Sequence, residues 1–172
     1  MNRKLVCLLI ICLGIASGGL SAETKTSAAA LDKLASLKGE WEGTFAWSGA
    51  RTSTGKMDAQ YYVTGNASAV VENLMQDGTP VMTSVYHLDG GDLRLTHFCG
   101  AQNQPRLRAT DVDPDNQITF SFVDITNLRS PTAGHVDGLE VRFLASDHIT
   151  LKFRFKGDNK ESDELIDLKR KK

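Results

Sequence analysis

The signatures of familiar enzyme chemistry are missing from this sequence. It has no Gly-x-Ser-x-Gly elbow, no His-Glu-x-x-His, no phosphate-cradling glycine loop and no Cys-x-x-Cys. No catalytic residue and no metal ligand set is therefore assigned. Cysteine is scarce as well: of three, Cys7 and Cys12 fall in an N-terminal apolar stretch, and removal of that stretch leaves Cys99 alone. A single thiol closes no internal disulfide, so stability must come from packing and backbone hydrogen bonds. Basic surplus is lacking too, because the formal net charge is −1 and becomes about −3 once Arg3 and Lys4 are lost. That balance speaks against nucleic acid or an anionic membrane surface as partner. The run Lys169–Lys172 is the local exception, expected to be the solvated end of the last strand.

What is present begins with an export signal. Arg3 and Lys4 precede an almost wholly apolar run, Leu5–Ile15, followed by small and polar residues from Ala16 to Ala22. This is the pattern of a signal peptide over residues 1–22, with cleavage expected after Ala22 and a periplasmic or secreted product. The run falls short of the roughly 20 residues that span a bilayer, and no second one follows, so no stable membrane insertion is expected. Cys7 and Cys12 follow Val6 and Ile11, whereas a lipidated cysteine follows a small residue, so no lipid anchor is expected either.

Residues 23–38 are expected to form a linker and a short helix, with Ser27 capping a helix through Ala28, Leu31, Leu34 and Leu37 and Gly39 ending it. From residue 39 to 172 the pattern changes to ten short stretches of period two, separated by turn residues. They are Glu40–Trp47, Lys56–Thr64, Ser68–Met75, Val81–Leu88, Asp92–Cys99, Arg106–Asp111, Gln117–Val123, Val136–Ala145, His148–Phe155 and Glu164–Lys169. Turn chemistry stands between them at Gly65-Asn66, Asp77-Gly78, Gly90-Gly91, Asp113-Pro114-Asp115-Asn116, Ser146-Asp147 and Gly157-Asp158-Asn159. Ile149, Leu151, Phe153 and Phe155 share one face, while His148, Thr150, Lys152 and Arg154 share the other. Ten one-sided strands joined by short turns predict an all-β, up-and-down antiparallel barrel, since closure hides every strand edge. A sandwich is the alternative.

Gly39-Glu40-Trp41, after a short helix and at the start of the first strand, resembles the Gly-x-Trp signature of calycins, the group of lipocalins and fatty-acid-binding proteins. The segment from Tyr86-His87-Leu88-Asp89-Gly90 to Asn103-Gln104-Pro105-Arg106 resembles one found in uncharacterised exported bacterial proteins with this barrel. The calycin resemblance implies structural roles for Gly39 and Trp41, with the Trp closing the barrel base against a basic residue near the last strand, a role Arg170 can fill. The Arg-x-Tyr clamp of fatty-acid-binding proteins has no counterpart, so a fatty acid is not implied. Gly39-Glu40-Trp41-Glu42-Gly43 also resembles the start of nitrobindin-type haem barrels. The further glycines and late-strand His of that group are missing, so no cofactor is expected, haem being the one the resemblance raises.

A two-residue turn at Gly90-Gly91 fixes the register of its hairpin. Leu88 then faces Leu93, Tyr86 faces Leu95, Ser84 faces His97 and Met82 faces Cys99, all on one side. Turned inward, this side presents an apolar wall with a few polar groups, the composition of a small-molecule site. His97, Cys99, Tyr86, Ser84 and Leu95 are the candidate ligand-binding residues, with Arg106 added as a partner for an anionic group because it follows a loop expected to fold over the mouth. The alternative for His97 is a core residue bonded to Ser84 or to backbone. His97 and Cys99 place two metal-type ligands on one strand face, but two ligands make no site. Carboxylates are expected on turns and outer faces. Asn66-Ala67-Ser68 matches a glycosylation acceptor, relevant only in a eukaryotic secretory route. The leading expectation is an exported barrel that holds a small, largely apolar molecule and performs no chemistry on it. Three alternatives stay open: an enzyme on a small apolar substrate using His97, a haem-binding barrel, and a filled barrel that docks a partner on its surface.

Overall fold

A computed structural model describes residues 18–172, with side chains from residue 26 onward. The apolar run of the expected signal peptide, with Cys7 and Cys12, lies outside the described residues. One helix, α1 (Gly18–Ala35), precedes ten strands: β1 (Gly39–Gly49), β2 (Ser53–Thr64), β3 (Ala69–Gln76), β4 (Thr79–Asp89), β5 (Asp92–Phe98), β6 (Gln104–Asp113), β7 (Gln117–Thr126), β8 (His135–Ala145), β9 (His148–Gly157) and β10 (Lys160–Arg170). Each strand pairs antiparallel with its neighbours in sequence, and β1 pairs with β10 from Trp41↔Arg170 to Gly49↔Ser162. The sheet is therefore a closed up-and-down barrel with no free edge strand.

Local chemistry sets this course. At Asp77-Gly78 and Asp158-Asn159 both central residues have positive φ, the conformation of the tight turns whose twist matches that of a hairpin. In β9, Ile149, Leu151, Phe153 and Phe155 point inward and are buried, while Lys152 and Arg154 between them are exposed. Such alternation fits a wall with one dry face. The strands run two to four residues longer than their apolar stretches at several ends, because ladder hydrogen bonds continue past the last buried side chain.

The helix differs from expectation. Residues Glu23–Ser27, expected as a linker, are helical, and Ser27 is a buried residue within α1 rather than its cap. The Ala-rich stretch and the apolar stripe Ala30, Leu31 and Leu34 favour helix across this region, and tertiary packing of the stripe overrides the local capping preference of Ser27. The helix ends in a tightened turn, Leu37 N–H to Leu34 O at 3.1 Å and Lys38 N–H to Ala35 O at 3.2 Å, and Gly39 with φ of 132° turns the chain into β1. Its contacts run along β2 to β6, so α1 closes one end of the barrel. The loops after β1, β3, β5, β7 and β9 ring the opposite end, called the mouth below. Pairing of β7 with β8 stops at Ser121↔Gly138, so the wall loosens there toward the mouth.

The interior is filled from the helix to beyond mid-height. Trp41, Ala59, Leu74, Leu93, Leu107, Ile118, Val141, Ile149, Leu151, Ile166 and Leu168 are all 0% exposed, so no space large enough for water touches them. Rings cross the barrel at mid-height: Tyr86 of β4 meets Phe120 of β7 at 5.7 Å, and His97 of β5 meets Phe153 of β9 at 5.0 Å. The expected hollow is thus absent at and below these rings, and Ala59 and Leu74, one inward step nearer the mouth than Tyr61 and Glu72, are equally sealed.

Candidate functional site

Four consecutive strands carry a row of polar side chains into this dry interior. The register sets Tyr61 of β2 opposite Glu72 of β3, Glu72 opposite Ser84 of β4, and Ser84 opposite His97 of β5. Each is buried, with Glu72, Ser84 and His97 at 0% exposure. The Glu72 carboxyl accepts two hydrogen bonds on one oxygen, Oε2, from the Tyr61 hydroxyl at 2.7 Å and the Tyr86 hydroxyl at 3.0 Å. Its other oxygen, Oε1, has no partner. Ser84 Oγ lies 3.0 Å from His97 Nδ1, and His97 Nε2 has no partner. Unpartnered buried polar atoms typically cost about 1–3 kcal/mol each, so two of them in one row require an explanation.

Burial also sets the charge of the row. Desolvation raises Glu72, opposed by its hydrogen bonds from Tyr61 and Tyr86 and by Ser84 nearby. Desolvation pushes Tyr61 and Tyr86 far up and His97 down to about 4. The imidazole is neutral at physiological pH.

Above the row, at the mouth, lies a second polar group. Glu164 of β10 is 4% exposed, and desolvation pushes its carboxyl up to about 7 against opposing effects of Trp47, which donates to it, and of the Arg51 charge. The Arg51 guanidinium stacks on Phe155 at 4.0 Å and Trp47 at 5.0 Å. Cys99 is half-buried, and burial raises its thiol, with Glu164 and Arg51 near enough to act on it. Asn103 ties the mouth loops together by donating from Nδ2 to Gly134 O at 2.9 Å, while its Oδ1 has no partner. A cleft of about 230 Å³ opens here beside Arg51, Gly134, Phe155 and Ser162.

Of the residues proposed from sequence, Ser84, Tyr86, Leu95 and His97 share the inner face with the expected pairing, and Cys99 sits at the mouth above them. Tyr86 spends its hydroxyl on Glu72, and Leu95 is core at 1% exposure. Arg106 does not join them. It stands on the outer wall in a two-bond ion pair with Asp124, where its Nη2 donates at 2.8 Å, because Leu107 takes the inward position of β6. The expectation that carboxylates lie only on turns and outer faces is corrected by Glu72 and Glu164. Phase would have placed both: Val70, Glu72 and Leu74 alternate inward, as do Ser162, Glu164, Ile166 and Leu168. Trp41, Gly39 and Arg170 meet at the helix end, away from the mouth.

The row does not have the order of a nucleophilic triad. There the imidazole stands between carboxylate and hydroxyl, whereas here Ser84 stands between Glu72 and His97. Among the described residues no group of three or more His, Cys, Asp or Glu is arranged to hold a metal ion.

No family model matches the chain, and no curated protein matches it. Solved structures share its fold. A protein of unknown function of the DUF3598 family from Nostoc punctiforme superposes with a TM-score of 0.56 at 14% identity, over 80% of this chain and 49% of that one. Rv2717c from M. tuberculosis superposes with a TM-score of 0.55 at 18% identity, over 83% of this chain and 98% of that one. The chain shares their barrel fold. It spans about half the length of the Nostoc protein and nearly the whole of the mycobacterial one, and at these identities the likeness concerns the fold alone.

Proposed function

We propose that the protein is an exported carrier of a small, largely apolar molecule, seated at the mouth of the barrel with one polar group directed at His97 and no chemistry performed on it. One observation carries this reading: His97 Nε2 is fully buried and unpartnered, on the inner face of a barrel whose mouth has a cleft lined by Arg51 and Phe155. A protein with no use for that nitrogen gains stability from an apolar residue there. Trp47, Met82, Cys99 and Phe155 belong to or pack against the interior core and are apolar or weakly polar, the first three half-buried. The filled lower barrel limits the depth, so the ligand is small.

Native mass spectrometry of protein purified from its exported compartment tests this. The expected result is a bound mass that leaves on denaturation and is absent from the His97→Phe variant. A bare wild-type chain that also fails to bind 1-anilinonaphthalene-8-sulfonate overturns the reading. It would favour the second one, a filled barrel acting through its surface, which the run of 0% exposed interior residues supports.

A further inference from the structure

We infer that Glu72 is a positioning residue held as a neutral acid, and that through Ser84 it makes His97 a hydrogen-bond donor toward the mouth. The inference rests on the binding reading for its purpose, though not for its test. The first step is the uneven bonding of the Glu72 carboxyl. Both tyrosine hydroxyls donate to Oε2 and nothing donates to Oε1. A carboxylate shares its charge between two equivalent oxygens and seeks donors at both, whereas a carboxylic acid has one carbonyl oxygen with two lone pairs and one hydroxyl. Two donors on Oε2 and none on Oε1 is the pattern of the acid, with the proton on Oε1. A bare anionic oxygen at 0% exposure costs far more than a hydroxyl in the same place, and the upward push of burial on Glu72 agrees.

The second step is the direction of the remaining protons. Ser84 faces Glu72 across the β3–β4 pairing and is the next polar side chain in the row. The Ser84 hydroxyl stands near enough to the Glu72 carboxyl to act on it through a hydrogen bond, and is the group a proton on Oε1 would meet. With Oε1–H as donor, Ser84 Oγ accepts from Glu72 and gives its single proton to His97 Nδ1, 3.0 Å away. The neutral imidazole then carries its proton on Nε2. An ionised Glu72 would reverse every arrow: Ser84 would donate to the carboxylate, accept from Nδ1–H and leave Nε2 as a bare lone pair.

The two directions select different ligands. With the proton on Nε2, the matching group is an acceptor such as a carbonyl, ether or carboxylate oxygen. A bare Nε2 would match a donor or a metal ion. Glu72 makes no contact with the mouth, so its influence passes entirely through the hydroxyl of Ser84.

Long-range proton–nitrogen correlation spectra of the histidine rings, recorded on the unliganded protein at neutral pH, read the tautomer directly. The expected spectrum has a protonated Nε2 and an unprotonated Nδ1 for His97. Glu72→Gln should keep it, because the amide carbonyl accepts from the tyrosines and the amide nitrogen donates to Ser84, while Ser84→Ala should lose the single tautomer. A wild-type proton on Nδ1, an imidazolium, or a changed tautomer in Glu72→Gln overturns the inference. Since no ligand is present, failure of the binding reading leaves this spectrum unchanged, and the two outcomes stay separate.

Discussion

Arg170 lies with its guanidinium 4.4 Å from the centre of the Trp41 ring and donates from Nη1 to Lys38 O at 2.7 Å and from Nη2 to Ser36 O at 3.0 Å. Trp41 itself donates from its indole nitrogen to Leu37 O at 2.8 Å. These two side chains thus satisfy the carbonyls of Ser36, Leu37 and Lys38, in the turn that follows α1, and tie that turn to the barrel base. Arg170→Met keeps the packing stem and loses the charged bonds and the ring contact. The loss should be about 2–3 kcal/mol by urea denaturation, from the usual worth of charge-assisted bonds and an exposed cation–ring contact. A change below about 0.5 kcal/mol would show that the helix is held by its apolar face alone.

Gly43 follows in the same strand, and its need for glycine is steric. A Cβ there would stand 1.8 Å from the carbonyl oxygen of Asp167 in β10, a backbone atom that cannot turn aside. Gly43→Ala should therefore force β1 and β10 apart at the seam that closes the barrel, with an expected loss above roughly 3 kcal/mol or no soluble protein. Gly78→Ala is the contrast: φ is 74° but nothing lies within 4 Å, so the expected loss is only about 1 kcal/mol. Equal thermal shifts for the two variants would refute the close approach.

Strand number, order and closure were legible because each strand has one dry face and each turn its own chemistry. The hairpin through Gly90-Gly91 gave the pairing of Ser84 with His97 outright, since a two-residue turn permits a single register. Glu72 and Glu164 were harder. In β3, Val70 and Val71 are both buried, one inside and one under outer side chains, so the alternation that marks an inner face is blurred just before Glu72. In β10 the stretch Lys160–Asp163 is so polar that the strand seemed to begin at Glu164, although it begins at Lys160. The phase of Leu74, and of Ile166 and Leu168, still turns both carboxyls inward, and the paired neighbours, Tyr61 and Ser84 for Glu72 and Phe153 for Glu164, agree. Burial of Ser27 inside α1 was hidden for a like reason, because capping preference is local and the packing that overrides it is not.

Cys99 offers a probe of the mouth. Burial raises its thiol, and less thiolate at a given pH means slower alkylation. Iodoacetamide at pH 7.5 should modify Cys99 in the folded protein at least about tenfold more slowly than in urea, in proportion to the suppressed thiolate and restricted access. A molecule seated above His97 should slow it further. Modification at the unfolded rate would mean that the mouth stands open to solvent around the sulfur.

The two titrating side chains of the upper barrel should act on stability in opposite senses. Glu164 ionises near 4.5 when unfolded and about 7 when folded, so the native state holds an extra proton between these values. Its contribution is complete below pH 4.5 and is lost as pH rises through 7. His97 goes the other way: unfolded it protonates near 6.5, folded only at about 4, so its contribution is present above 6.5 and is lost as pH falls toward 4. Between pH 4.5 and 6.5 the two slopes, each at most about 1.4 kcal/mol per pH unit, oppose one another. Glu164→Gln should accordingly gain on wild type as pH rises through this window, by on the order of 2 kcal/mol, and His97→Phe should lose ground by a similar amount. Urea titrations at pH 4.5, 5.5 and 6.5 separate them. Parallel curves for wild type and either variant would show that the substituted group titrates as it does in water, and so is not enclosed in the folded barrel.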